Sequence, residues 1–295
     1  METSVSYNVM PISNYQRAPR TLGRVAITSI LLIAVGEAES DKVTVPLTDP
    51  SRPSTVKVSL LNGSITVSAY DGKDVVVEAK VRADGEAPAR AGGMKRIPMT
   101  ATGLSVEEEN NQIDIGAQSI QRTIDLTIQV PRRTSLRLKT VNDGDITVTG
   151  VEGEMDVDDV NGEVTLRNVS GNAVAHALNG RLLVTFDRTN PQKAMAFSSL
   201  NGDVDVTFPA DLKANVSMSS DRGEVFSDFD IQLEARAPIQ TSTQGSRDGG
   251  RFKVNIDKTV RGKINGGGQE VQFKNFNGNI YIRRAGAAAP PKAAQ

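Results

Sequence analysis

The sequence predicts an all-β protein, a two-sheeted β-solenoid built from strand–turn units of about nine residues, on three observations. Gly144, Gly153, Gly162, Gly171 and Gly180 stand nine residues apart. After such glycines apolar residues alternate with polar ones, as in Ile65 and Val67, Val164 and Leu166, Val204 and Val206, and Ile280 and Ile282. That is the two-residue period of a strand with one buried face. Asn-Gly occurs six times, at Asn62, Asn161, Asn179, Asn201, Asn265 and Asn277, where 18 Asn and 26 Gly in 295 residues would give about 1.6 by chance. An antiparallel β-meander or sandwich is the alternative fold, because hairpins use the same turns and the same alternation.

At the N-terminus, Arg17, Arg20 and Arg24 precede an apolar run from Val25 to Val35, followed by Gly36, Glu37 and Ala38. A basic region, an apolar core and small residues at alternate positions predict a secretory signal peptide over 1–38, cleaved after Ala38, with Met10 as an alternative start. The run falls short of the roughly 20 residues that span a bilayer. No later segment is longer, so the mature chain is expected to lack a transmembrane span. The repeat domain is then 39–284. It opens with strands between Val56 and Val81, passes a Pro- and Gly-bearing loop near 83–103, and resumes with alternation from Ile113 to Val130.

Four consecutive nonads follow: VEGEMDVDD from Val151, VNGEVTLRN from Val160, VSGNAVAHA from Val169 and LNGRLLVTF from Leu178. LNGDVDVTF from Leu200 repeats the pattern, and degenerate copies begin at Leu61, Asn142 and Phe276. Gly63, Gly144, Gly153, Gly162, Gly171, Gly180, Gly202 and Gly278 are expected to supply the positive φ of the turns, with Asn161, Asn179 and Asn201 beside them. Asx-Gly occupies Asp143, Asn161 and Asn179 but not the intervening nonads, so the unit is about 18 residues, two strands and two corners. Stacking such coils about 4.8 Å apart predicts Asn161 beside Asn179, Thr147 beside Thr165, and an ion pair between Glu163 and Arg181. A second loop is expected near 237–251, and the Ala/Pro-rich 285–295 as a disordered tail.

The stretch from Leu126 to Phe208, with SDRGEVFSDF and the closing FNGNIYIRR, resembles the bacterial putative-adhesin family of unknown function. The likeness runs from about Val56 to Arg284. It implies an exported β-solenoid-like repeat domain and assigns no catalytic or binding residue. The two long loops depart from the pattern.

Composition bounds the chemistry. With no Cys there is no disulfide, thiolate metal site, cysteine nucleophile or lipidated cysteine. A net charge of -1 argues against nucleic acid as a partner. One His cannot form a two-histidine metal site. Glu152, Glu154, Asp156 and Asp158 alternate along one strand, between Asp143 and Asp145 before and Asp159 after. Glu154, Asp156 and Asp158 are the weak candidates for a cation, and the face from Asp143 to Asp159 for a glycan-acting acid pair. A solvated acidic face that resists aggregation explains them equally. His176 is expected to be exposed and idle. The serines lack a nucleophile elbow, and Gly266–Gly268 lacks the Lys-Ser/Thr of a phosphate loop. The sequence therefore points to a non-catalytic, exported repeat protein, adhesin-like or a cell-envelope binding or scaffold module, with no cofactor and an unknown envelope or surface partner. The alternative is a polysaccharide-acting β-helix enzyme.

Overall fold

The computed structural model describes residues 40–82, 102–117, 122–234 and 258–287. The predicted signal segment, most of the loop near 83–103, the loop near 237–251 and most of the tail lie outside those residues. The chain divides into two units, Met1–Glu37 and Ala38–Gln295, and all of the described residues belong to the second.

The described residues form twenty strands. In chain order they are β1 (Ser40–Val45), β2 (Ser54–Ser59), β3 (Ile65–Tyr70), β4 (Val75–Val81), β5 (Leu104–Glu109), β6 (Gln112–Ala117), β7 (Ile124–Pro131), β8 (Thr134–Thr140), β9 (Ile146–Thr149) and β10 (Glu152–Asp159). There follow β11 (Val164–Ala177), β12 (Leu182–Thr189), β13 (Met195–Ser199), β14 (Val204–Phe208), β15 (Ala214–Ser220), β16 (Val225–Ser227), β17 (Ile231–Leu233), β18 (Val260–Ile264), β19 (Gln269–Asn275) and β20 (Ile280–Arg284).

Parallel pairing assembles most of these strands into two facing rows. One row runs β6-β2-β8-β10-β11-β13-β19-β15. The other runs β7-β3-β9-β11-β12-β14-β20-β16. The long β11 belongs to both: its first half lies between β9 and β12, and its second half between β10 and β13. The chain changes rows at Asn168, whose φ of 51° breaks the strand's course, and the register shifts around Val169. Each coil is thus one strand from each row, as predicted for a solenoid.

Within the central coils the step is the predicted 18 residues, with Ile146 aligned to Val164 and Val164 to Leu182. Thr147 lies beside Thr165 as expected. At both ends the chain departs from sequential stacking. The β2–β3 coil sits between β6–β7 and β8–β9, and the β19–β20 coil sits between β13–β14 and β15–β16. Antiparallel strands finish the stack: β5 on β6, β4 on β7 with β1 beyond it, and β18 on β15 with β17 beyond it. They cover strand edges that would otherwise template further pairing.

Alternation puts one apolar row per strand inside. Ile65, Ile146, Val164, Leu182, Val204 and Ile280 are all fully buried, each contributing about 1.5–3 kcal/mol relative to exposure. Phe186, Phe197, Phe208 and Phe273 interlock in the later coils, with Phe186 stacked on Phe208 at 5.5 Å and Phe197 on Phe273 at 5.5 Å. A low aromatic content therefore still supplies one dense aromatic cluster.

The turn glycines have a different cause from the one expected. Of the eight, only Gly63 (125°) and Gly171 (116°) have positive φ. Gly153 and Gly171 lie within β10 and β11, past the corner. What excludes a side chain is close stacking: a Cβ on Gly162 would stand 2.1 Å from the Gly144 oxygen, one on Gly180 1.8 Å from that of Gly162, and one on Gly202 2.2 Å from that of Gly180. Gly63, Gly144, Gly162, Gly180, Gly202, Gly278 and Gly223 form a column in which successive backbones touch.

Candidate interaction surfaces

The corner beside the glycine column carries a ladder of side-chain amides. Asn142 Nδ2 donates to Asn62 Oδ1 at 3.3 Å, Asn161 to Asn142 at 3.0 Å, Asn179 to Asn161 at 2.8 Å, Asn201 to Asn179 at 2.8 Å and Asn277 to Asn201 at 2.8 Å. Asn161, Asn179 and Asn201 are therefore brought together as the spacing suggested. Asn142 takes the rung expected of Asp143, which becomes an extra turn residue at φ 58°. Asn265 is off the ladder and donates to the Leu212 carbonyl at 2.7 Å.

One residue before each rung stands an apolar side chain: Leu61, Val141, Val160, Leu178, Leu200 and Phe276. Leu61 and Leu178 are 44% exposed, with Leu200 and Phe276 close behind, while Val141 and Val160 are half-buried. The Arg222 guanidinium lies 5.5 Å from the Phe276 ring centre at one end. Ladder and stripe run side by side, at one residue of each per coil.

The acidic strand is not a cluster of free carboxylates. Glu154, Asp156 and Asp158 face outward from β10, but Glu154 pairs with Lys193, and Asp158 with Lys139 at 3.2 Å. Glu152 pairs with Arg188 at 2.5 Å. Asp156 is exposed, aligned with Arg137 of β8. Asp145 accepts the Glu163 backbone N–H at 2.8 Å. Among the described residues no group of three or more His, Asp or Glu could hold a metal ion. An open groove of 660 Å³ follows this face, with Lys57, Arg137 and Lys139 at its centre and Glu107, Asp114, Asp156 and Asp158 flanking them. Its charges nearly cancel.

Three expectations need correction. Asp159 does not share the outward face: it has the parity of Met155 and Val157 and is fully buried. The period-two rule applied to β10 signals as much. His176 is half-buried, and its Nδ1 lies 2.6 Å from Ser198 Oγ. Arg181 turns away from Glu163 and pairs with Asp205 at 3.2 Å, because Asp205 is buried and needs the cation more.

That last cluster escaped the sequence. Arg283 also binds Asp205, donating from Nε at 2.7 Å and from Nη2 at 3.1 Å. The Asp205 carboxylate, with Asp228 and Tyr281 adding to the field, holds the Arg283 guanidinium above its usual range despite its partial burial. The Arg283 guanidinium also lies 5.2 Å from the Tyr281 ring centre, and Tyr281 stacks on Phe226 at 5.3 Å and 13°. The partners are 24 and 78 residues from Asp205, so no local motif announces them.

A sequence-family profile described as Toastrack DUF4097 matches residues 25–265. The comparison with curated proteins gives no match. Among solved structures, this chain is similar to a "putative cell adhesion protein" from Clostridium sporogenes at 9% identity and a TM-score of 0.41, over 83% of this chain and 100% of that one. It is also similar to a "putative adhesin" from Bacteroides fragilis at 12% identity and a TM-score of 0.35, over 84% and 98% of the two chains.

Proposed function

The chain belongs to the Toastrack DUF4097 family, and from that premise we propose an exported, non-catalytic scaffold that binds a cell-envelope or surface component through its in-register rows of side chains. The observation that carries this proposal is the corner. Its amides satisfy one another along the ladder, which fixes the neighbouring apolar stripe at one side chain per coil. Such a surface offers shape and apolar area to a partner, and no group on it can move a proton or attack a bond. The acidic strand supports the same conclusion. Glu154 and Asp158 are engaged in ion pairs with Lys193 and Lys139, whereas a glycan-cleaving pair needs two carboxyl groups free to face the scissile bond. In the described residues no helix is long and apolar enough to cross a membrane. Export rests on the basic and apolar N-terminal segment.

Cell fractionation with mass analysis of the mature N-terminus tests export: the chain is expected outside the cytosol, beginning at Glu39. A soluble cytosolic chain still carrying Met1 or Met10 would show the proposal to be wrong. Assays on acidic and neutral glycans test the non-catalytic half. Turnover that disappears in Asp156→Asn or Asp158→Asn would establish the enzyme instead. A pull-down from envelope fractions, using the full mature chain, names the partner.

A further inference from the structure

Beneath the glycine column lies a second row, one residue per coil, aligned by register: Thr140, Asp159, Ala177, Ser199, Asn275 and Ser220. Four of these donate to the glycine carbonyl of the adjoining coil. Thr140 Oγ1 reaches Gly63 at 3.0 Å, Ser199 Oγ reaches Gly180 at 2.9 Å, Asn275 Nδ2 reaches Gly202 at 2.8 Å, and Ser220 Oγ reaches Gly278 at 3.2 Å. By the same step, Asp159 faces Gly144 and Ala177 faces Gly162. Ala177 has nothing to donate. Asp159 has a carboxyl, which donates only when protonated.

Asp159 holds the same register position as its neighbours in the row. Its Oδ1 accepts the Asn161 backbone N–H at 3.1 Å, while its buried Oδ2 has no partner. A Cβ placed on Gly162 would stand 2.1 Å from the Gly144 oxygen and 2.7 Å from Asp159 Oδ2, so both oxygens crowd the same spot. Two bare acceptors there would repel; a proton on Oδ2 turns the pair into donor and acceptor. We propose that Asp159 is protonated in the folded protein and donates from Oδ2 to the Gly144 carbonyl, completing the row and making the stack lose stability as pH rises.

The surrounding charges favour the neutral form. Burial is the largest influence, opposed by the Asn161 N–H and reinforced by Asp145 and Asp158; together they push the Asp159 carboxyl up to about 7. On β8, Lys139 is spent on Asp158. On β11, His176 aligns with Asp158 and is held by Ser198. Glu163 and Asp143 stand at the two adjoining corners, and among the described residues no cation is paired with Asp159. In the unfolded chain the carboxyl titrates near 3.8. A folded value above the unfolded one means that the contribution is whole below about pH 4 and is lost as pH rises through about 7.

Urea unfolding of the full mature chain at pH 5 and pH 8.5, for wild type and Asp159→Asn, tests this. Asn carries a permanent donor, as Asn275 does in its coil. Between the two pH values the wild-type unfolding constant should rise at least about tenfold relative to that of Asp159→Asn. An identical pH response in the two proteins would overturn the proposal. Should Asp159→Asn fail to fold, the wild type decides by carbon-13 NMR. The Asp159 carboxyl and the Gly144 carbonyl should titrate together with a midpoint near neutrality, while the Gly63 carbonyl, capped by Thr140, stays still. A carboxyl midpoint near 4, or a Gly144 carbonyl that does not follow it, would overturn the donation.

Discussion

Asn179 donates its side-chain amide to Asn161 Oδ1 at 2.8 Å and accepts the amide of Asn201 on its own Oδ1 at 2.8 Å. An interior rung of the corner ladder is therefore donor and acceptor at once, whereas Asn277 at the ladder's end is only a donor to Asn201. Asn179→Ala should cost about 1–2 kcal/mol in urea unfolding, and Asn277→Ala about half as much. Equal losses would mean that the rungs act singly.

Glycine substitutions should separate stacking from turn conformation. In Gly180→Ala the new methyl would lie 1.8 Å from the Gly162 carbonyl oxygen. Either the coils part or the chain bends, and the loss should exceed about 3 kcal/mol or abolish soluble expression. Gly116→Ala, where nothing lies within 4 Å, should change the melting temperature by little. Thermal unfolding of the two variants side by side checks this.

The missing donor at Ala177 is a site for stabilisation. Ala177 aligns with Ser199, whose hydroxyl caps Gly180, so Ala177→Ser should place a hydroxyl toward Gly162. The expected gain is about 1 kcal/mol, read from the urea midpoint at unchanged slope. A loss would show that the space beneath Gly162 is already filled.

The Asp205 cluster should respond asymmetrically. Asp205 is buried while Arg181 and Arg283 are partly exposed. Removing both arginines in Arg181→Ala/Arg283→Ala strands a buried carboxylate and should cost about 2–4 kcal/mol. Asp205→Leu leaves two cations that water can solvate, and should cost clearly less. Guanidinium-free denaturation, by urea or heat, keeps the comparison free of added salt.

Much of the coil was legible because it is local. The alternation in Val164 and Leu166 or Val204 and Val206 names the buried face, and the repeated Asn-Gly names the corner with its ladder. Three things were not legible. The place of the β19–β20 coil depends on Asn277 meeting Asn201 across 76 residues, and a repeat that fits every coil does not say which one it stacks on. The glycines satisfy a distance between backbones, which the sequence alone presents as an ordinary turn preference. The candidate acidic face looked like a cluster because the lysines that neutralise it come from other coils, Lys139 from β8 and Lys193 from the turn before β13. Asp159 was legible in principle from its parity with Val157.

The most direct test of the account is the order of the coils, and the absence of native Cys makes it a clean one. In Asn201→Cys/Asn277→Cys the two thiols stand on adjacent coils about 4.8 Å apart, within disulfide reach. In Asn179→Cys/Asn277→Cys they are two coils apart, beyond it. Mild oxidation of the folded chain, followed by non-reducing mass mapping, should give a near-complete 201–277 bridge and no 179–277 bridge. Efficient bridging of 179 to 277 without 201 to 277 would contradict the stack described here.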